Sequence, residues 1–189
     1  MTLPPSCRWS GGYLELLDQR QLPGGVVFMK LHRWQEVAEA ITSMAVRGAP
    51  AIGIAAAWGV VLAALSGDDL PTAIRGLRSS RPTAIHLSLA LNRMQGALAA
   101  SAVVDVEALA SKAAALQHED CLLTQRLVDH GVSLLAQGCQ VLHHCHTGAI
   151  ATGGVGTALG VIAAAHARGL LRHAWLDETR PRLQGAALS

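Results

Sequence analysis

The chain has 189 residues, of which 51% are hydrophobic and 3% aromatic, and its formal net charge is +2 at pH 7. That length suffices for one hydrophobic core, or for one domain and part of a second. The near-balanced charge and the lack of a long basic run argue against nucleic acid as the main partner. The four cysteines form no CxxC pair, and residues 1–5 lack the charged and apolar regions of a secretory signal. We therefore expect a cytoplasmic location with reduced thiols.

The N-terminal part predicts a small sheet followed by a helix. Two β-like runs, residues 13–17 and 26–31, flank the turn sequence at 23–25, which is typical of an antiparallel pair. Apolar residues at helical spacing predict a helix over 34–44, and the glycine and proline at 48–50 should end it.

Residues 48–67 carry no charge, and two interpretations are open for them. A membrane span is one, because the stretch is about as long as a bilayer is thick. A helix buried in the core is favoured, since the stretch is rich in Ala and contains Gly and Pro. We expect that helix to start near Pro50 and to run to about Leu65.

Three more helices are predicted before the pattern changes. The first follows Arg81 and places four apolar residues on one face, and the others span 105–117 and 119–136. The four apolar residues are Leu87, Leu91, Met94 and Leu98.

After residue 138 the pattern becomes strand, helix, strand, with strands at 140–142 and 174–177 and a crossover helix at 155–168. We therefore predict an α/β fold. A small antiparallel sheet and helices form an N-terminal domain over 1–137, and 138–189 hold the first βαβ unit of a Rossmann-like parallel sheet. Two parallel strands make an unfinished sheet, so we expect the chain to lack most of its second domain or to pair with a chain that supplies it.

Two arginines precede predicted helix starts. Arg47 lies just ahead of Pro50, and Arg81 lies before the next apolar helix. An arginine beside free N–H groups at a helix N-terminus makes an anion site. The alternative is an ordinary surface arginine in each loop.

The run from His143 to His146 places Cys145 at the end of a predicted strand, beside a glycine-rich turn. Ligands of open α/β sheets bind at the carboxyl ends of strands, so this thiol can touch a ligand. A buried inert thiol is the alternative. We expect His144 and His146 to point to one side of a strand and Cys145 to the other. Adjacent ligand-type residues do not converge as a zinc site requires, so we expect no metal.

Several blocks along nearly the whole chain resemble, in one order, the methylthioribose-1-phosphate isomerase family of methionine salvage. The most specific block, residues 45–59, reads AVRGAPAIGIAAAWG. Other blocks lie at 14–20, 22–24, 81–84, 144–145, 152–160 and 177–186.

The resemblance implies an aldose–ketose isomerase that converts 5-methylthio-ribose 1-phosphate to 5-methylthio-ribulose 1-phosphate without a cofactor. It implies a cytoplasmic homodimer whose partner is a small phosphorylated sugar, with no membrane or nucleic acid. It assigns Cys145 as the active-site thiol, which stabilises the transition state or takes part in hydrogen transfer. The substrate-binding residues that it implies are Arg47, Gly48, Ala49, Arg81 and Gln184.

Two residues beside the thiol depart from the family pattern. The family usually has a smaller polar residue at position 143 and an Asn at position 146, whereas this chain has His at both. Either change alters the surroundings on which the reactivity of a thiol depends.

The family's proton-donor Asp, and an Asn-Lys pair that contacts substrate, lie after position 189. The resemblance therefore predicts an N-terminal portion with little activity alone, or half of a split protein. Two other functions stay open. One is an isomerase for ribose 1,5-bisphosphate or 5-deoxyribose 1-phosphate. The other is a non-catalytic, sugar-phosphate-binding regulatory subunit of a translation-initiation exchange factor.

Overall fold

The computed structural model describes residues 5–99 and 103–188; most of the N-terminal segment used in the signal argument lies outside them. The first sheet has three antiparallel strands in the order β1-β2-β3: β1 (Cys7–Trp9), β2 (Leu14–Leu17) and β3 (Phe28–Leu31). The predicted pair is present as β2 and β3, while β1 was missed because three residues carry no readable alternation. Leu14 and Leu16 are buried, so one face of β2 packs on the helices.

The centre of the core is α2. Helix α1 (Trp34–Thr42) is followed by α2 (Ala49–Leu65), and α2 packs against α1, against the three helices that come after it, and against the first sheet. Residues 51–63 of α2 are all buried, which explains why the uncharged stretch has no polar face. Within the described residues, no helix is long and apolar enough to cross a membrane.

Three helices surround α2: α3 (Leu70–Ser79), α4 (Ile85–Ala99) and α5 (Val106–Ser133). The helix α4 was predicted, but the short α3 was not. The prediction of two helices over 105–117 and 119–136 was wrong. One continuous helix forms because no glycine or proline interrupts the sequence before Gly131.

The last part is a βαβ unit. β4 (Cys139–His143) and β5 (Leu171–Leu176) pair in parallel and are connected through α6 (Ala158–Ala167); a short α7 (Gln184–Leu188) follows. Helix α6 starts later than predicted because 152–156 form an irregular glycine-rich loop after a 3-10 turn at Ala149–Ala151. The predicted α/β class is confirmed, and the domain boundary at residue 137 stays a prediction.

Candidate functional site

The turn before α2 is built on a glycine that no other residue replaces easily. Gly48 has φ +96°, which L side chains rarely adopt. A Cβ on Gly48 would also lie 2.4 Å from the Cα of Ala151. The first N–H groups of a helix have no carbonyl partner within it, and Gly48, the residue before α2, has no side chain to cap them. Arg47 therefore stands next to uncapped backbone donors.

A buried glutamine holds this turn in place. The Nε2 of Gln19 donates to the carbonyl oxygens of Ile150, at 2.8 Å, and of Arg47, at 3.3 Å. The Ser6 hydroxyl donates to the same Ile150 oxygen. These bonds connect the N-terminal sheet, the Arg47 turn and the loop after β4. No sequence pattern indicates the role of Gln19, because burial of a single amide leaves no periodicity.

Cys145 lies beyond the strand and not on it. β4 ends at His143, so the prediction that His144 and His146 share one side of a strand was wrong. Cys145 is exposed and has φ +83°, an uncommon conformation for a residue with a Cβ. His144 points to the Asp177 carboxylate, with Nδ1 2.6 Å from Oδ2, whereas His146 lines the same cavity as Cys145.

His143, one of the two departures from the family pattern, has a structural contact. Its buried Nε2 lies 2.6 Å from Oγ1 of Thr147, and that oxygen accepts a hydrogen bond from the N–H of Leu159. Burial first, and then nearby His144, hold the pKa of His143 below its usual range. His143 therefore fixes the loop that carries Cys145 against the start of α6.

The part of the chain that the structure describes contains no set of side chains that could bind a metal ion. No three side chains of His, Cys, Asp or Glu converge there closely enough to hold an ion.

The site is a cavity of about 530 Å³ between the start of α2, the start of α4, the loop after β4 and the start of α7. The structure brings all six sequence-predicted residues to its wall: Arg47, Gly48, Ala49, Arg81, Cys145 and Gln184. The other lining residues, which the sequence did not nominate for binding, are Ile52, Thr83, Ala84, Ile85, His86 and His146.

The cavity is electropositive. Burial lowers the pKa of Arg47 below its usual range, the like charges of Arg182 and Arg81 lower it further, and the charge of Cys145 acts in the opposite direction. In residues 5–99 and 103–188, none of these three arginines forms an ion pair with a carboxylate. Guanidinium groups and backbone N–H groups that converge in this way fit a phosphate dianion.

Gln184 connects the loop after β5 to the Arg47 turn. With its amide oriented so that both ends have partners, the oxygen accepts from Nη2 of Arg47 at 3.0 Å. In the same orientation the nitrogen donates to the Thr179 carbonyl at 3.1 Å. The first residue of α7 and the turn before α2 therefore contribute to the same cavity wall.

The comparisons with known proteins are consistent with one family. The model of the "Initiation factor 2 subunit family" matches residues 45–189. A curated methylthioribose-1-phosphate isomerase of Synechococcus sp. (strain CC9605) is 86% identical over the whole chain, which covers 56% of that relative. A protein of the same name from Alkalilimnicola ehrlichii is 46% identical over 96% of this chain, which covers 55% of it. The chain thus spans about half the length of the curated relatives it matches.

Two solved structures have the same architecture. A crystal structure of 5-methylthioribose 1-phosphate isomerase from Pyrococcus horikoshii superposes with a TM-score of 0.90 and 35% identity, covering 99% of this chain and 56% of that one. The translation initiation factor eIF-2B, subunit delta, from A. fulgidus superposes with a TM-score of 0.83 and 35% identity, covering 98% of this chain and 58% of that one.

Proposed function

Since the chain belongs to the initiation factor 2 subunit family, we propose that it forms the thiol-bearing part of the active site of an aldose–ketose isomerase. The substrate is 5-methylthio-ribose 1-phosphate and the product is 5-methylthio-ribulose 1-phosphate. The observation that carries the proposal is the cavity in which Arg47, Arg81 and the uncapped start of α2 face the Cys145 thiol. The names of the similar proteins support the same reaction.

The phosphate binds at the arginines. Arg47 and Arg81 supply charged donors, and the backbone at Gly48 and Ala49 supplies N–H groups at a helix N-terminus, where anions are stabilised. Gln184 holds the Arg47 guanidinium from the side of β5. Anchoring the phosphate places C1 and C2 of the sugar at a fixed distance from the end of β4.

The chemistry is redox-neutral within the substrate. The ring oxygen gains a proton as the ring opens, one hydrogen moves from C2 to C1, and the C2 hydroxyl loses its proton to give the ketone. No external oxidant, reductant or cofactor is therefore required. Cys145 stands beside this carbon pair, where its thiol stabilises the transition state or takes part in the hydrogen transfer, and apolar lining residues such as Ile52 help to exclude water.

The enzyme is favoured over a purely regulatory protein by the thiol. Structural similarity does not decide between an enzyme and a regulatory protein, because the chain superposes well on both solved structures. A non-catalytic sugar-phosphate receptor has no need for an exposed thiol held at φ +83° on the wall of an electropositive cavity. Isomerases for ribose 1,5-bisphosphate or 5-deoxyribose 1-phosphate would use the same groups and differ only at the 5-position.

We also propose that the chain works in a cytoplasmic homodimer and that a Rossmann-like domain begins at residue 138. The parallel pairing of β4 and β5 around α6 supports the domain. Leu142 of β4 is 79% exposed and Trp175 of β5 is 49% exposed, which is unusual for a parallel sheet and supports a further covering layer.

Phosphorus NMR tests the proposed function. The 189-residue chain is incubated with 5-methylthio-ribose 1-phosphate, alone and fused to the remaining segment of the Synechococcus relative. We expect the substrate signal to shift on binding to the chain and the ketose phosphate to form with the fused protein. Neither binding nor conversion by either protein would contradict the proposal.

A further inference from the structure

The side chain of His146 has an unusual environment. Both of its ring nitrogens are shielded from solvent, and neither has a hydrogen-bond partner among the described residues. The residue nevertheless lines the electropositive cavity, next to Cys145. Buried polar atoms are nearly always paired, so the unpaired imidazole of His146 at the cavity wall can take a ligand as its partner once the ring turns a nitrogen toward the cavity.

The charge state of His146 decides which partner fits. Burial, the charge of Arg47 and the charge of His143 lower its pKa to about 4, so the ring is neutral at pH 7. A neutral imidazole has one donor and one acceptor. It carries no charge that would attract a dianion, and its donor and acceptor match a hydroxyl group, which also donates and accepts.

We propose that His146 is a specificity residue that hydrogen-bonds a hydroxyl of the sugar while the arginines hold the phosphate. The inference rests on the proposed function, because it assumes that a phosphorylated sugar fills this cavity. The separate roles of the arginines and His146 follow from their positions on the cavity wall. Cationic and backbone donors lie at Arg47 and Arg81, and the neutral donor–acceptor pair lies one residue from the thiol. An amide at position 146 would offer the same donor and acceptor, so asparagine is the conservative substitution.

The test compares two probes by isothermal titration calorimetry: inorganic phosphate and α-D-ribose 1-phosphate. In His146→Leu we expect the affinity for ribose 1-phosphate to fall about 10- to 100-fold, because the sugar hydroxyl then has no hydrogen-bond partner in the site. We expect the affinity for inorganic phosphate to change less than about 3-fold. His146→Asn should keep most of the preference for the sugar phosphate, and His118→Leu, an exposed α5 site outside the cavity wall, should match the wild type.

The outcomes separate this inference from the function on which it rests. If the wild type binds ribose 1-phosphate and His146→Leu binds it equally well, the role of His146 is overturned and the proposed function stands. If the wild type binds neither probe, the role of His146 is overturned, and the phosphorus NMR of the fused protein decides the proposed function separately. Should His146→Leu not fold, nitrogen NMR of the wild-type imidazole decides: ribose 1-phosphate must shift the ring signals of His146, and unchanged signals overturn the inference.

Discussion

At the scale of single residues, we expect anion binding to depend most on Arg47. It stands among like charges and forms no ion pair within the described residues, so a bound anion would relieve repulsion as well as gain contacts. We predict that Arg47→Ala weakens binding of inorganic phosphate by about 10- to 100-fold, the usual loss for a charge-assisted hydrogen bond. Isothermal titration calorimetry at two salt concentrations measures the phosphate affinity of both proteins.

The controls for Arg47 use charge and position. Arg47→Lys should bind phosphate more tightly than Arg47→Ala but less tightly than the wild type, because lysine has the charge without the bidentate geometry of the guanidinium. Arg168→Ala, near Asp129 on the outer surface, should bind phosphate as the wild type does. Equal phosphate affinity in Arg47→Ala and Arg168→Ala would show that the anion binds elsewhere.

His146 should make the stability of the chain depend on pH. Its pKa falls from 6.5 to about 4 in the folded state. Between those values the unfolded chain binds a proton that the native chain does not, so stability is fully present above pH 6.5 and is lost as pH falls toward 4. The shift corresponds to a loss on the order of 3 kcal/mol. Urea unfolding at pH 7.5 and at pH 4.5 measures most of it.

Substitution identifies the source of that loss. His146→Asn should flatten the pH dependence over this range, although His143, whose pKa is also lowered, keeps a smaller slope of the same sign. His118→Asn, exposed on α5, should keep the full slope. A full slope in His146→Asn would mean that other groups cause the acid sensitivity.

The six nominated site residues could be read from the sequence because they lie in blocks with a recognisable order. Two other contributors could not. His146 was assigned to the side of a strand opposite Cys145, whereas the strand ends at His143 and both residues reach the cavity. The function of Gln19 depends on bonds to Arg47 and to Ile150, 131 positions away in sequence, and no local pattern encodes such a contact.

At the scale of elements, the close approach of α2 to the 3-10 turn after β4 forms the site. Gly48→Ala should destabilise the chain by about 3 kcal/mol or more, because it combines a strained φ with a clash against the Ala151 backbone. Gly67→Ala is the matched control: its φ is +68°, but nothing lies within 4 Å of the added Cβ. We expect it to cost only about 1 kcal/mol.

Urea unfolding of the two glycine variants, followed by phosphate titration, checks this prediction. Gly48→Ala should also weaken phosphate binding, since relief of the clash moves the Arg47 turn. Similar losses of stability in both variants would show that the backbone conformation alone matters and that the contact with Ala151 does not.

Element boundaries followed the strength of local signals. The start of α2 near Pro50 and its end at Leu65 were predicted correctly, because glycine and proline act through the local backbone. The missed α3 has only ten residues, and its apolar face is decided by packing against α2. The two predicted helices form the single α5 because the polar residues near position 118 lie on the solvent side of a continuous helix and do not interrupt it.

At the scale of the whole molecule, the structure joins a helical layer around α2 to a two-stranded parallel sheet, with the cavity between them. The helical layer was predictable because its hydrophobic periodicity is complete within the chain. The surroundings of the parallel sheet were not, since exposed apolar residues such as Leu142 and Trp175 do not say what covers them. The order of sequence blocks, and not the periodicity, linked the two parts into one site.

The central claim is that this cavity binds the sugar phosphate and that Cys145 acts on it there. The most direct measurement compares wild type and Cys145→Ala, both fused to the remaining segment of the Synechococcus relative, for binding and turnover of 5-methylthio-ribose 1-phosphate. We predict that Cys145→Ala binds the substrate within about 3-fold of the wild type but loses at least about 100-fold in kcat, because the thiol acts on the transition state. Unchanged turnover in Cys145→Ala would contradict the claim.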